Sequence, residues 1–246
     1  MSKLSGKAAL VTGGSRGIGA AIAKRLASDG AAVAVTCSAS LKQADEVARS
    51  IQSAGGRAIA LRADAADPAA VTAAVATAAE RLGGLDIVVN NAGVLATGEI
   101  EQFPEDQFER MLAVNVRSAF YLVREASRHL RDNGRVVLIG SVNSDAVPFP
   151  GGSVYALTKG AVAAFTRGLA RDLGPRGITV NNVQPGPIDT EMNPADGPSA
   201  AGLKGFMALK RFGRADEIAG LVAFLAGPEG AFITGAGLKI DGGFDA

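Results

Sequence analysis

The sequence predicts an α/β fold: a doubly wound parallel sheet of about seven strands with helices on both faces. Three observations predict it. Short, uniformly apolar runs recur along the 246 residues, amphipathic segments of helical length separate most of them, and a glycine-rich turn directly follows the first run. Strands are expected at 8–12, 32–36, 58–62, 87–90, 136–139, 179–183 and 238–240, where hydrophobic runs read as short buried strands. Helices are expected at 18–28, 44–53, 69–82, 106–130, 154–173 and 216–225, which carry apolar residues at helical spacing. Several open after Asp, Ser or Pro and end at Gly; Asp67 followed by Pro68 is a cap and a first helical residue. Residues 191–214 interrupt the alternation, with Asn193, Pro194, Asp196, Gly197 and Pro198 as turn formers, and read as a substrate lid with one or two short helices. Nothing resembles a linker, so residues 1–246 are expected to form one domain.

Composition narrows the function. Twenty-five Lys and Arg against 24 Asp and Glu leave a net charge of +1, which argues against a nucleic-acid binder. Without an apolar run of about 18 residues there is no membrane span to expect. The single cysteine, Cys37, cannot form an intramolecular disulfide or a zinc cluster, and a cytoplasmic location is the expectation. His129 is the only histidine, so a Ser-His-Asp triad or a histidine metal site lacks its parts, and no metal is expected.

In a doubly wound sheet, ligands bind beyond the carboxyl ends of the strands, which directs attention to the residues after each run. After the first come Gly13, Ser15, Arg16, Gly17, Ile18 and Gly19, where glycines let backbone approach a pyrophosphate at a helix N-terminus. The second run leads to Ser38 and offers no carboxylate for a ribose 2′-hydroxyl. Arg16 can instead pair with a 2′-phosphate, with Ser38 and Lys42 assisting, which favours NADP(H) over NAD(H). Tyr155 and Lys159, four apart on a helix, share a face; the ammonium is expected to lower the phenol's pKa toward a useful acid/base range. Ser141, just past the fifth run, is placed to hydrogen-bond a carbonyl oxygen beside Tyr155.

These motifs, in this order and across essentially the whole chain, resemble the short-chain dehydrogenase/reductase family. The resemblance implies a Rossmann-type fold and hydride transfer between nicotinamide and a carbonyl or secondary alcohol. Tyr155 would act as the acid/base, Lys159 would hold the ribose, Ser141 would polarise the carbonyl and Asn115 would position a relay water. It further implies cofactor contacts at Asp64, at Asn91, Ala92 and Gly93, and at Pro185, Gly186, Ile188 and Thr190. Ser141 precedes Tyr155 by fourteen residues, one more than in many members, which leaves Ser144 as the fallback. A 3-oxoacyl-(acyl-carrier-protein) or small-ketone substrate is implied, with Lys204, Lys210, Arg211 and Arg214 available to an acidic carrier protein. A homotetramer through segments 106–130 and 154–173 is implied as well. A second reading is of another class: residues 141–145 and 184–198 are similar to stretches of cyclic di-GMP-binding signalling proteins on the same fold.

Overall fold

The computed structural model describes residues 2–246. Seven strands, β1 (Ala8–Val11), β2 (Ala32–Cys37), β3 (Ala58–Arg62), β4 (Leu85–Asn90), β5 (Leu130–Ile139), β6 (Thr179–Pro185) and β7 (Gly237–Ile240), form one sheet in the order β3-β2-β1-β4-β5-β6-β7. All neighbours run parallel. The chain builds outward from β1 to β3, then crosses back to place β4 on β1's other side. That reversal opens a crevice at the carboxyl ends of β1 and β4, the ligand position of such sheets.

Helices α1 (Gly17–Ser28), α2 (Leu41–Ser53) and α8 (Ala215–Ala226) cover one face; α3 (Pro68–Leu82), α5 (Ser118–His129) and α6 (Ser153–Leu173) cover the other. This two-sided cover explains why the strands read as unbroken apolar runs: Leu10 on β1 packs with one cluster while Val11 packs with the other, both fully buried. Each such side chain contributes about 1.5–3 kcal/mol of burial. Caps fall where local chemistry puts them. Ser40 accepts from Gln43 N ahead of α2, and Asp67 accepts from Ala69 N ahead of α3, with Pro68 in its first turn. Gly83, at φ 79°, closes α3.

The structure corrects the sequence reading in two places. The expected helix 106–130 is α4 (Glu105–Met111), a π-helical turn at Leu112–Arg117, and then α5. Helical periodicity alone cannot register the extra residue per turn, and the cause lies in the site described below. The fifth strand begins at Leu130, not 136. Leu130 pairs with Leu85 before a register shift that accommodates Asp132, Asn133 and Gly134, with Asn133 at φ 62°. Those turn-forming residues conceal the strand. Segment 191–214 contains one short helix, α7 (Ala200–Phe206), and a third small core of Val142, Ala200, Met207, Phe212 and Phe244 lies beneath it. No helix among the described residues is long and apolar enough to cross a membrane.

Candidate active site

Hydrogen bonds tie the loop after β1 to the loop after β4. The Thr12 hydroxyl accepts from Asn91 N (3.0 Å) and Ala92 N (3.1 Å), while Asn91 Nδ2 donates to Thr12 O and Gly13 O, each at 3.0 Å. Asn91 therefore shapes the glycine loop as well as facing the cleft. Gly13 needs its φ of 61°, and a Cβ on Gly19 would collide with Gly13 O and Asn91 Nδ2. The first turn of α1 carries no side-chain cap, so its amide groups face the crevice as an anion site.

A cleft of about 950 Å³ runs along the carboxyl edge of the sheet. Gly13, Ser15, Arg16, Gly17, Ile18, Gly19, Ser38, Asp64, Asn91, Ala92, Gly93, Pro185, Gly186, Ile188 and Thr190 all line it, as do Ser141, Tyr155 and Lys159. Asn115 does not; it stands behind that wall. Lys42 is exposed in the first turn of α2 and lies outside the lining, so only Ser38 of the two proposed helpers faces the cleft.

At the end beside β2, the lining is Thr36, Cys37, Ser38, Ala39, Ser40 and Gln43, with no carboxylate. Asp64, after β3, accepts from Ala66 N at 3.0 Å and pairs with Arg110 of α4 at 3.3 Å; the backbone N–H, then the guanidinium, hold its carboxyl below the usual range against modest burial. Arg110 also lines the cleft, and no sequence signal marked it, because its pairing is long-range. The glycine cradle, open helix terminus and carboxylate-free ribose end suit a phosphorylated dinucleotide.

At the other end, the site is assembled from β5 and α6. Ser141 Oγ accepts from Asn143 N (3.1 Å) and donates to Asn143 Oδ1 (3.4 Å), and beside Tyr155 it favours the ionised phenol. Ser144 does not line the cleft: its hydroxyl donates to Ser141 O (2.8 Å) and accepts from Gln184 Nε2 (2.6 Å). The one-residue difference in spacing is thus absorbed between Ser141 and Tyr155. Lys159 is 5% exposed; its Nζ donates to Ile139 O at 3.1 Å and lies 5.7 Å from the Tyr155 ring centre.

The expected depression of the Tyr155 pKa is reversed by burial. Burial pushes the phenol up to about 12, outweighing the opposing Ser141 bond, and burial pushes the Lys159 ammonium down to about 8. Desolvation, which disfavours both charged forms, exceeds the attraction between them. The phenol is accordingly held protonated at neutral pH.

Asn115 explains the π turn. Its Oδ1 accepts from Val94 N and its Nδ2 donates to Val94 O, both at 2.9 Å, with a third bond from Nδ2 to Thr158 Oγ1 at 3.1 Å. One amide thereby pins the loop after β4 to α6, and the widened turn supplies the reach. A Cβ on Gly93 would stand 3.5 Å from both Asn115 Oδ1 and Lys159 Nζ, which places both groups against the same face of that glycine.

The outer part of this end is apolar. Leu95, Phe149, Met192, Leu203, Phe206 and Phe244 line it, with Phe206 and Phe244 edge-to-face at 5.9 Å. Sequence reasoning missed these residues; the only available signal was that apolar side chains punctuate a turn-rich segment and follow the Gly242-Gly243 turn.

Fold and site together define a dinucleotide-dependent class of oxidoreductase, and the chain belongs to the short-chain dehydrogenase/reductase family. Residues 13–245 match the family model described as Enoyl-(Acyl carrier protein) reductase. The solved short-chain dehydrogenase/reductase from Serratia marcescens BCRC 10948 is 58% identical, with a TM-score of 0.98 over 99% of this chain and 100% of that one. A short-chain dehydrogenase from Burkholderia cenocepacia J2315, solved in complex with NADP, is 54% identical, with a TM-score of 0.98 over 99% and 100% of the two chains. The cyclic-di-GMP-binding biofilm dispersal mediator protein of Escherichia coli (strain K12) is 46% identical over the full length of both chains.

Proposed function

We propose that the chain is an NADPH-dependent carbonyl reductase acting on neutral ketones. The observation that carries this reading is Tyr155 beside Ser141 and Lys159, at one end of a cleft whose loop after β2 offers no carboxylate to select NADH. The NADP-bound relative supports the choice of cofactor. When bound, the dinucleotide supplies the hydride. Gly13, Gly17 and Gly19 let backbone close on its pyrophosphate, Arg16 and Ser38 meet the 2′-phosphate, and Ile188 and Thr190 hold the carboxamide. Ser141 donates to the ketone oxygen, and Tyr155 delivers its proton to that oxygen as charge develops there. Lys159 binds ribose hydroxyls, and Asn115 fixes the wall around it. A protonated phenol at Tyr155 is the form that donates to a ketone oxygen in the reductive direction.

The substrate end favours a neutral ketone over a carrier-bound 3-oxoacyl group. Its one lining cation is the buried Lys159. Of the residues available to a carrier protein, Arg211 pairs with Glu217 at 2.7 Å and Arg214 with Asp216 at 3.0 Å. Lys204 and Lys210 donate to the carbonyls of Ala195 and Gly205. Segment 191–214 acts as the lid, and a cytoplasmic homotetramer completes the reading. The test is NADPH absorbance over a panel of neutral and anionic ketones, with NADH as comparator; no oxidation of either dinucleotide by any ketone would refute it.

A second reading rests on the 46% identity to a cyclic-di-GMP-binding protein. The two stretches singled out in the sequence touch through Gln184, Ser144 and Asp145. Under this reading the cleft takes cyclic di-GMP in place of the dinucleotide. Titration against bound NADPH decides it: failure of micromolar cyclic di-GMP to displace NADPH or to bind elsewhere excludes the sensor.

A further inference from the structure

We propose that Glu191 sets the balance between the two dinucleotides by competing with the 2′-phosphate of NADPH for Arg16. The inference rests on the dinucleotide-dependent reading above. Arg16 Nη1 donates to Glu191 Oε2 at 2.7 Å, joining the glycine loop to the first residue of the lid. Their side chains are 58% and 60% exposed, so neighbouring packing does not lock the pair and it exchanges readily.

Two features separate this pair from an ordinary surface contact. The first is position. Both residues line the cleft, and Glu191 follows Thr190, whose methyl carbon would stand 3.4 Å from a Cβ on Gly17 at the entry to α1. The pair therefore spans the mouth of the dinucleotide site.

The second is the supply of cations. Arg16, Arg110 and Lys159 are the cationic residues of the lining. Lys159 stands at the catalytic end, and Arg110 is held on Asp64. The β2 end contributes hydroxyls, a thiol and an amide through Thr36, Ser38, Ser40, Cys37 and Gln43. A 2′-phosphate must then draw on Arg16, whose fork already holds a carboxylate. Binding NADPH exchanges one anion for another on that guanidinium, whereas NADH lacks the phosphate and leaves the pair intact. Glu191 thus weakens NADPH alone, and the chain discriminates less than Arg16 by itself would allow.

The test measures binding directly. Kd values for NADPH and NADH are read from dihydronicotinamide fluorescence in the wild type, Glu191→Gln, Arg16→Ala and the double variant. Glu191→Gln is expected to tighten NADPH about two- to five-fold, the range of an exposed ion pair, and to leave NADH unchanged. Arg16→Ala is expected to weaken NADPH selectively and to abolish the effect of Glu191→Gln. Equal shifts for both dinucleotides, no shift, or a Glu191→Gln effect that persists without Arg16 overturns the competition while leaving the reductase reading in place. No binding of either dinucleotide to the wild type defeats both.

Discussion

Tyr155 and Lys159 form a pair whose burial matters more than their mutual attraction. Tyr155→Phe removes the proton donor and little else, so kcat is expected to fall by about 10²–10⁴, with dinucleotide Kd within about threefold of wild type. Stopped-flow reduction and fluorescence titration check the two halves of that statement. Burial pushes the Lys159 ammonium down to about 8 from its ordinary 10.5, so its charged form costs on the order of 3 kcal/mol. Replacing it with Met also forfeits the bond to Ile139 O, worth about 1 kcal/mol. The net expectation for Lys159→Met at neutral pH is a gain of about 2 kcal/mol, or a Tm about 4–8 °C higher in calorimetry, in a protein without useful turnover. At this scale the sequence was legible where chemistry is local. The glycine loop, Ser141, Tyr155 and Lys159 each announce themselves by type and spacing. Arg110 and Glu191 do not, because each acquires its role only through a partner distant in the chain. The phenol's pKa was misjudged for a related reason: helical spacing reveals the neighbouring ammonium but not the depth of burial.

Among the elements, the π turn at Leu112–Arg117 illustrates how one side chain can override periodicity. Asn115 satisfies both backbone groups of Val94, so Asn115→Ala leaves a part-buried N–H and C=O without their partners. A loss of about 2–4 kcal/mol is expected in urea unfolding, and kcat should fall with it because the wall beside Lys159 loosens. A drop in kcat with unchanged stability would contradict the assignment of Asn115 as the anchor of that loop. Strand positions were readable from composition wherever both faces are buried, as in β1 and β2. They were unreadable at the start of β5, where Asp132, Asn133 and Gly134 carry turn chemistry inside a strand that pairing with Leu85 nevertheless begins. Segment 191–214 could be recognised as an irregular insertion, but its contribution to the apolar wall depends on where Leu203 and Phe206 come to rest.

For the molecule as a whole, burial of Tyr155 and Lys159 gives each a defined contribution to the alkaline pH profile of stability. Lys159's folded pKa lies below its unfolded value, so its penalty is complete below about pH 8 and is relieved as pH rises toward 10.5. Tyr155's folded pKa lies above its unfolded value of 10.0, so its contribution is complete below pH 10 and is lost as pH rises toward 12. Tm is therefore expected to climb from pH 8 to about 10 and then fall; a Lys159→Met variant should lack the climb. Exposed Phe120 on α5 and Leu157 on α6, 46% and 54% accessible, mark the face through which the proposed tetramer would form. Light scattering should report four copies for the wild type and fewer for Leu157→Glu; a monomeric wild type would remove that proposal.

Phe244 imposes an order on how the molecule becomes competent. The glycine loop and the adenosine rim draw on residues between Thr12 and Arg110, yet the far wall of the cleft waits for a side chain that follows the seventh strand. A message cut a few codons short would yield protein with its sheet complete and a breach where the ketone must be shielded from water.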